Sequence, residues 1–252
     1  MLIRLRTIFL IWIAFVFLYC KNNMVDPVDY SEIPFHHGRI IPPVLDSLIR
    51  NHGSWNQWKE MKTLYFHVQT DLHDFGNEFH TVHLMERSIN IEGEHHKKTF
   101  DDFSTTMSLQ VTELQRPKPA HYAGMMYYIL CFPFIALDDG IIYQVNSNHN
   151  YYEYPYHVLT LTYDPRKYPD RKDRFDLYIH PDNYQLDKVV YTGNPSQRSL
   201  SLNMNIYFKK WQDVRNFRLP YHVEIKIEPH ATIKSIIFSD ITLTEDEPGE
   251  SF

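Results

Sequence analysis

The stretch Ser199-Leu200-Ser201-Leu202-Asn203-Met204-Asn205-Ile206-Tyr207-Phe208 decides the fold class, because polar and apolar side chains alternate along it almost without a break. Successive side chains of a β-strand point to opposite faces, so this alternation predicts a strand with one apolar and one polar face. The stretch from Tyr221 to Glu228 repeats the pattern. Two such strands predict an antiparallel sheet with one buried face and one solvated face.

The rest of the chain contains more short alternating stretches separated by polar turns, which is typical of antiparallel strands. Beyond the two stretches above, strands are predicted from Lys62 and over Phe79 to Glu86, Ser88 to Glu94, His96 to Phe103, Thr106 to Leu114, Ile141 to Val145, Tyr156 to Tyr163, Arg174 to His180, Tyr184 to Thr192 and Ile233 to Leu243. The segment from Trp211 to Leu219 is predicted as a connection. The prediction is a mainly β (α+β) fold, an antiparallel sheet of about 10–11 strands whose apolar face is covered by helices.

Composition limits the function classes. The chain has 252 residues, enough for one large β domain, and its 15% aromatic content suits strands better than helices. A net charge of −6 and the lack of a basic stripe argue against a nucleic-acid partner. No motif in the sequence calls for a cofactor.

The N-terminus predicts export. Arg4 and Arg6 precede an apolar run that is too short to span a bilayer but matches a secretory signal, and the run ends at Cys20. Residues 1–20 therefore look like a bacterial lipoprotein signal, with Cys20 as the lipidated residue. Tyr19 departs from the small residue usual before that cysteine, which keeps simple secretion or an uncleaved anchor as the alternative. Residues 21–41 are predicted as a tether, 42–243 as one domain and 244–252 as an acidic tail.

Two short helices are predicted at the start of the domain. Pro42 and Pro43 suit a helix start, and Gly53 is placed to end that helix. Ser54 then begins a capping box for a second helix, in which Trp55 and Trp58 share a face. Packing of these tryptophans against the sheet is the simplest interpretation of that face.

The segment 120–132 breaks the strand pattern because it is apolar nearly all round, as in a buried helix. It is predicted either as a core helix that fills the concave side of the sheet or as a lid over a pocket. In the second case its flexible methionines would contact an apolar ligand. The candidate ligand-binding residues are Met125, Met126, Tyr128, Ile129, Phe132, Trp55 and Trp58.

Histidines are the obvious candidates for metal ligands, but their spacing argues against a site. His80 and His83 are three residues apart, so on a regular strand they point to opposite faces, and the adjacent His95 and His96 diverge likewise. No cysteine cluster or helical His-Glu-x-x-His is present to complete a zinc site. The sequence therefore predicts no metal site and places these histidines on the polar face, either exposed or partly buried.

No catalytic signature stands out. The chain has no Gly-x-Ser-x-Gly elbow, and the apolar neighbours of Cys131 predict a buried thiol rather than a nucleophile. Asp138, Asp139 and Glu153 could serve as acid–base carboxylates, but Asp-Asp-Gly after an apolar run is typical of a turn. The aromatic cluster Tyr151–Tyr156 could line a sugar or peptide groove, or it could pack at a strand edge.

The order of these elements resembles the lipoprotein-carrier architecture of Gram-negative envelopes (LolA/LolB-like), an open half-barrel whose concave face is plugged by helices. More narrowly, the chain resembles an uncharacterised family of secreted bacterial lipoproteins with that fold. The motifs that carry the resemblance are His52-Gly53-Ser54-Trp55, Phe132-Pro133-Phe134 before Leu137-Asp138-Asp139-Gly140, Phe175-Asp176-Leu177-Tyr178-Ile179-His180-Pro181 and Leu219-Pro220-Tyr221-His222. The resemblance covers roughly residues 43–243.

The resemblance implies a non-enzymatic lipoprotein that is anchored in the cell envelope, in the periplasm and at the outer membrane. Its ligand would be an acyl chain or a lipoprotein, bound in the concave face of the sheet. Two alternatives come from other classes of protein: an exported hydrolase with an unrecognised site, and a scaffold lipoprotein that binds a protein partner along a sheet edge.

Overall fold

The computed structural model describes residues 35–36, 39–72, 76–101, 119–151, 154–169, 171–193, 203–228 and 233–246. The helices are α1 (Pro43–His52), α2 (Trp55–Glu60) and α3 (Pro119–Cys131), and a 3-10 turn spans Phe134–Leu137. The strands are β1 (Phe35–His36), β2 (Arg39–Ile40), β3 (Thr63–Thr70), β4 (Asn77–His83), β5 (Ser88–Gly93), β6 (His96–Phe100), β7 (Ile141–Tyr151), β8 (Tyr154–Tyr163), β9 (Arg174–Ile179), β10 (Leu186–Thr192), β11 (Asn203–Val214), β12 (Phe217–Glu228) and β13 (Ile233–Thr244).

Eleven of these strands form one open sheet in the order β6-β5-β4-β3-β13-β12-β11-β10-β9-β8-β7. Every pairing between neighbours is antiparallel, and the last strand, β13, lies between β12 and β3. β6 and β7 are the two edges of the sheet. The prediction of an open antiparallel sheet of about 10–11 strands with helices on one face is confirmed.

The two short helices begin and end where the sequence predicts. Pro43 opens α1, and Gly53 ends it with a φ of +143°, a backbone conformation that suits glycine. A Cβ at Gly53 would lie 2.7 Å from Cδ1 of Phe217, so the close approach of α1 to β12 also requires a glycine. Ser54 caps α2, since its hydroxyl oxygen accepts a 3.4 Å hydrogen bond from the backbone N–H of Gln57.

The contacts of α3 show that the sheet curls around it. The ring of Tyr122 lies 6.0 Å from that of His80 on β4, and the hydroxyl of Tyr128 lies 3.2 Å from that of Tyr163 on β8. The two tyrosines are six residues apart on α3, which is a rise of only about 9 Å along the helix. In a flat sheet, the seven strand spacings between β4 and β8 would measure about 34 Å. The side that bears α3 is therefore the concave one, which we call the inner face.

One predicted connection is wrong. Residues 211–219, predicted to link two strands, are instead the ends of β11 and β12, which form a hairpin through a turn at Arg215 and Asn216. The register shifts at Phe208, Lys210 and Trp211 place a β-bulge there, which breaks the alternation on which the prediction depended.

Other predictions fall partly on residues that the structure does not describe. Thr106 to Leu114, the signal segment with Cys20, and residues 199–202 all lie outside the described residues. Within the predicted tether, the described residues form the β1–β2 pair, followed by a buried Ile41. In the described part of the chain, no helix is long and apolar enough to cross a membrane.

Candidate functional site

The inner face is built from the alternating apolar positions that define the strands. β9, β10, β11 and β12 each place side chains there that are at most 5% exposed, namely Phe175, Leu177, Ile179, Leu186, Val189, Tyr191, Met204, Ile206, Phe208, Val223 and Ile225. α1 packs on this surface through Leu45, Leu48 and Ile49. The inner face and its helices share one continuous hydrophobic core.

α3 lies in the middle of this core and is buried on all sides. Every residue from Tyr122 to Cys131 is buried, as are the following residues to Leu137. Because α3 has no polar stripe, it has no face suited to solvent, as the sequence predicts for a fully buried helix. The curled sheet surrounds it in place of solvent.

The seven predicted ligand-binding residues all belong to this core or pack against it. Met125, Met126, Tyr128, Ile129 and Phe132 are 0–3% exposed. On α2, Trp58 is buried and stacks on Phe134 with ring centroids 4.4 Å apart, and Trp55 is partly buried against the same core. The structure thus brings these residues together in one place, and their role in ligand binding stays a prediction.

A polar cluster interrupts the apolar inner face on β4. Glu78 is 1% exposed, and its carboxylate oxygens lie 2.6 Å from Nε2 of His96 and 3.3 Å from Nε2 of His80. Tyr122 of α3 closes the cluster, because its hydroxyl interacts with the Glu78 carboxylate. A buried carboxylate requires such partners, since an unpaired charge in the core would be strongly disfavoured. We call Glu78, His80, His96 and Tyr122 the Glu78 cluster.

Burial and pairing set the protonation states of this cluster. Burial raises the pKa of Glu78, but the interactions with His80, Tyr122 and His96 together outweigh burial, so this pKa lies below its usual value. Burial lowers the pKa of His80 against the opposing effect of Glu78. A neutral His80 donates from Nε2 to Glu78, which leaves Nδ1 as an acceptor. That buried nitrogen has no hydrogen-bond partner among the described residues.

The sequence prediction for His80 is therefore wrong in part. His80 lies on the inner face at 1% exposure rather than on the polar face, because Glu78 precedes it by two residues on the same side of β4. The sequence signal for this placement is that Glu78 and His80, two residues apart, occupy the same face of the strand as apolar residues such as Val82. The contributions of His96 and Tyr122 come from other elements and could not be found from spacing.

Another buried histidine anchors α1 to the sheet. His52 is fully buried, its Nδ1 donates to the carbonyl of Arg218 at 3.1 Å, and its Nε2 accepts from the N–H of Leu186 at 3.4 Å. Burial lowers the pKa of His52 from 6.5 to about 4, although the hydrogen bond to Arg218 opposes this shift. His52 thus serves as a neutral structural link between α1, β10 and β12.

The candidate catalytic and metal-binding residues are separated from one another. Asp138 pairs with Arg87 at 2.8 Å and Asp139 with Lys167 at 2.7 Å, both at the turn that the sequence predicts. Cys131 is buried, as predicted, and burial raises the pKa of its thiol well above the usual value. Glu153 lies outside the described residues. Within the described ranges, no group of three or more His, Cys, Asp or Glu side chains could hold a metal ion.

Comparisons with known proteins give structural neighbours only. No protein-family model and no curated protein matches the sequence. A DUF1329 family protein from Desulfovibrio piger aligns with a TM-score of 0.45 and 9% identity over 79% of this chain and 91% of that chain. A LolA superfamily protein from Nitrosomonas europaea aligns with a TM-score of 0.46 and 11% identity over 81% and 93% of the two chains.

A structure from Vibrio parahaemolyticus, described as an outer membrane lipoprotein-sorting protein domain, aligns with a TM-score of 0.48 and 8% identity. The alignment covers 82% of this chain and 93% of that chain.

Proposed function

We propose that this chain is a non-enzymatic envelope lipoprotein that holds a hydrophobic ligand, an acyl chain or the lipid anchor of another lipoprotein, against the inner face and beside α3. The observation that supports the proposal is that a buried helix, apolar nearly all round, lies within a curled, open sheet whose inner face is mostly apolar. Contacts of this kind are non-directional, so an acyl chain can replace them at a similar free energy per unit area.

The side chains of α3 suit such an exchange. Met125 and Met126 are consecutive residues that point about 100° apart around the helix, and they are 0–1% exposed. Methionine side chains are flexible and adapt to irregular apolar shapes, so they can repack around a chain inserted between α3 and the sheet. Of the two predicted roles for this segment, a cover over a ligand is the one that we propose.

The Glu78 cluster gives the ligand a polar end. Nδ1 of neutral His80 is a buried acceptor on the inner face, and a head group with an amide or hydroxyl donor would satisfy it. A free fatty-acid carboxylate would instead be repelled by the ionised Glu78 nearby. We therefore expect N-acylated or hydroxylated lipids to bind more tightly than simple carboxylates.

A direct test uses the domain from residue 24 onward, purified without detergent. Native mass spectrometry followed by lipid extraction should find bound acyl chains, and the delipidated domain should take up an added lipopeptide. Met126→Ala removes a fully buried side chain and should change lipopeptide affinity several-fold, whereas Met85→Ala, at a residue 74% exposed, should not. Bare protein that takes up neither fatty acid nor lipopeptide would contradict the proposal.

Anchoring at Cys20 and location at the outer membrane belong to the same proposal. A lipidated Cys20 should add the mass of a diacylglyceryl group and an acyl chain to the mature N-terminus. Cys20→Ala should release the protein into the soluble periplasmic fraction. An unmodified N-terminus in the membrane fraction would instead favour an uncleaved signal anchor.

The alternative function is that of an exported hydrolase, and the Glu78 cluster is the observation that favours it. Glu78, His80 and His96 converge, as acid–base residues do in many active sites. The ionised Glu78 and neutral His80 are both almost completely buried, however, so they match a structural pair as well as a catalytic one. Lipopeptide binding by the wild type without any ester-hydrolysis activity would favour the carrier, whereas ester hydrolysis that is lost in His80→Phe would favour the hydrolase.

A further inference from the structure

The outer face of the sheet, opposite α3, carries an open groove with a volume of about 410 Å³. Three tyrosines and three lysines on strands β8 to β12 line it: Tyr156, Tyr178, Tyr207, Lys188, Lys209 and Lys226. We call this set of residues the outer groove. It is separate from the inner face, because successive side chains of the same strands point to opposite sides.

In the middle of the outer groove, the ammonium of Lys188 lies between two aromatic rings. Lys188 lies directly opposite Tyr178 on β9 and Tyr207 on β11. Its ammonium is 5.1 Å from the ring centroid of Tyr178 and 5.2 Å from that of Tyr207, within the range of cation–π attraction. Lys188 is only 6% exposed, so a positive charge is fixed at the base of the groove.

The remaining charges leave the groove positive. Two carboxylates join the lining, and each has a partner: Tyr156 donates its hydroxyl to Asp187 at 3.0 Å, and Lys209 lies 3.3 Å from Glu224. Lys226 forms no ion pair with any residue that the structure describes. An anionic ligand would therefore find Lys188 below it and the ammonium of Lys226 beside it.

We propose that the outer groove binds an acidic sugar unit of a polysaccharide. Tyrosine rings provide rigid amphipathic surfaces against which the apolar face of a sugar ring can stack. Sugar hydroxyls both donate and accept hydrogen bonds, so they can pair with the lysines and also with Asp187 and Glu224. An acidic peptide fits less well, since its side chains offer neither a ring to stack on the tyrosines nor hydroxyl donors for those two carboxylates.

Of the aromatic cluster Tyr151–Tyr156, which the sequence suggests as part of a sugar or peptide groove, Tyr156 lines this site. The proposal does not depend on the inner-face ligand, because the two sites lie on opposite faces and share no residue.

The test is calorimetric titration of the full chain in detergent micelles with three probes: tetragalacturonate, the neutral maltotetraose and tetraglutamate. We expect tetragalacturonate to bind and the other two to bind at least about tenfold more weakly. Lys226→Gln removes a rim charge and should weaken tetragalacturonate binding about tenfold. Lys59→Gln, at an exposed position on α2, is the matched control and should have no effect.

Lys188→Met keeps the buried apolar stem but removes the charge, and it should abolish tetragalacturonate binding. Thermal unfolding checks that this variant is folded. Equal binding of maltotetraose or tetraglutamate would overturn the proposal, as would an absence of binding up to about 10 mM tetragalacturonate. An unchanged affinity in Lys226→Gln would do the same. Lipopeptide uptake by Lys226→Gln should remain normal, which separates a failure here from a failure of the inner-face proposal.

Discussion

The neutral, fully buried His52 makes the attachment of α1 sensitive to pH. Its two ring nitrogens have opposite roles, since Nδ1 donates to the carbonyl of Arg218 and Nε2 accepts from the N–H of Leu186. Protonation would place a second N–H against the N–H of Leu186 and a positive charge in the core. We predict that His52→Asn, which keeps a donor near Nδ1 but cannot be protonated, is destabilised at neutral pH and is less sensitive to acid than the wild type.

The size of the effect follows from the pKa of His52, which burial lowers from 6.5 to about 4. Between these values the unfolded chain binds a proton that the folded chain does not, so folded-state stability falls as the pH is lowered through this window. The full shift corresponds to about 3 kcal/mol of unfolding free energy lost between pH 7 and pH 4. Above pH 6.5 the imidazole is neutral in both states, and this contribution is complete.

Urea unfolding of the domain at several pH values between 4 and 7.5 measures this directly. At neutral pH, loss of the Leu186 hydrogen bond should cost His52→Asn about 1–3 kcal/mol, and this deficit should shrink or reverse by pH 4. His95→Asn, at a side chain that is 86% exposed, is the matched control and should run parallel to the wild type. If the wild type and His52→Asn lose stability in parallel from pH 7 to pH 4, the proposed role of the neutral His52 is refuted.

Three further predictions concern stability and reactivity. Gly53→Ala should cost about 1–3 kcal/mol in chemical denaturation, because its φ is +143° and the new Cβ would meet Phe217 at 2.7 Å; an unchanged midpoint would contradict this. Glu78→Gln should cost about 1.5–3 kcal/mol at pH 7 and less at pH 3. Because the pKa of Glu78 is lower in the folded chain, its contribution to stability is complete above the pKa of the unfolded chain and is lost as the pH falls. A stability deficit of Glu78→Gln that does not vary with pH would exclude ionisation of Glu78 as the cause. Cys131, buried with a raised pKa, should react with a thiol reagent only as the chain unfolds, and rapid labelling of the folded protein would show that α3 opens.

The alternating apolar and polar residues were enough to predict the open antiparallel sheet, because strand periodicity is local. The end of β11 was missed, since a bulge between Phe208 and Trp211 shifts the register and interrupts the alternation. The turn at Arg215, with a φ of 53°, has no glycine or asparagine-glycine signal at its first position. Local patterns thus predicted where strands begin, but they did not show that the β11–β12 hairpin continues beyond the bulge.

The core residues of α3 could be predicted from their composition, but the polar sites could not. Glu78 and His80 can be paired by their spacing, whereas Tyr122 and His96 reach them from other elements through the curl of the sheet and a hairpin. From the sequence of β10 alone, Lys188 is expected to be an ordinary lysine on the polar face of the strand. Only the strand order shows that a tyrosine lies opposite it on both sides.

The position of α3 limits what can bind beside it. Tyr122 contacts β4 and Tyr128 contacts β8, so this helix joins strands that lie near opposite ends of the open sheet. A ligand inserted between α3 and the sheet would have to replace apolar contacts from Tyr122 to Cys131, about 14 Å of helix. A small rigid molecule would satisfy one end and leave the other exposed to water. A long flexible chain can follow the curled surface from end to end, which is why the ligand that we propose is an acyl chain and not a compact molecule.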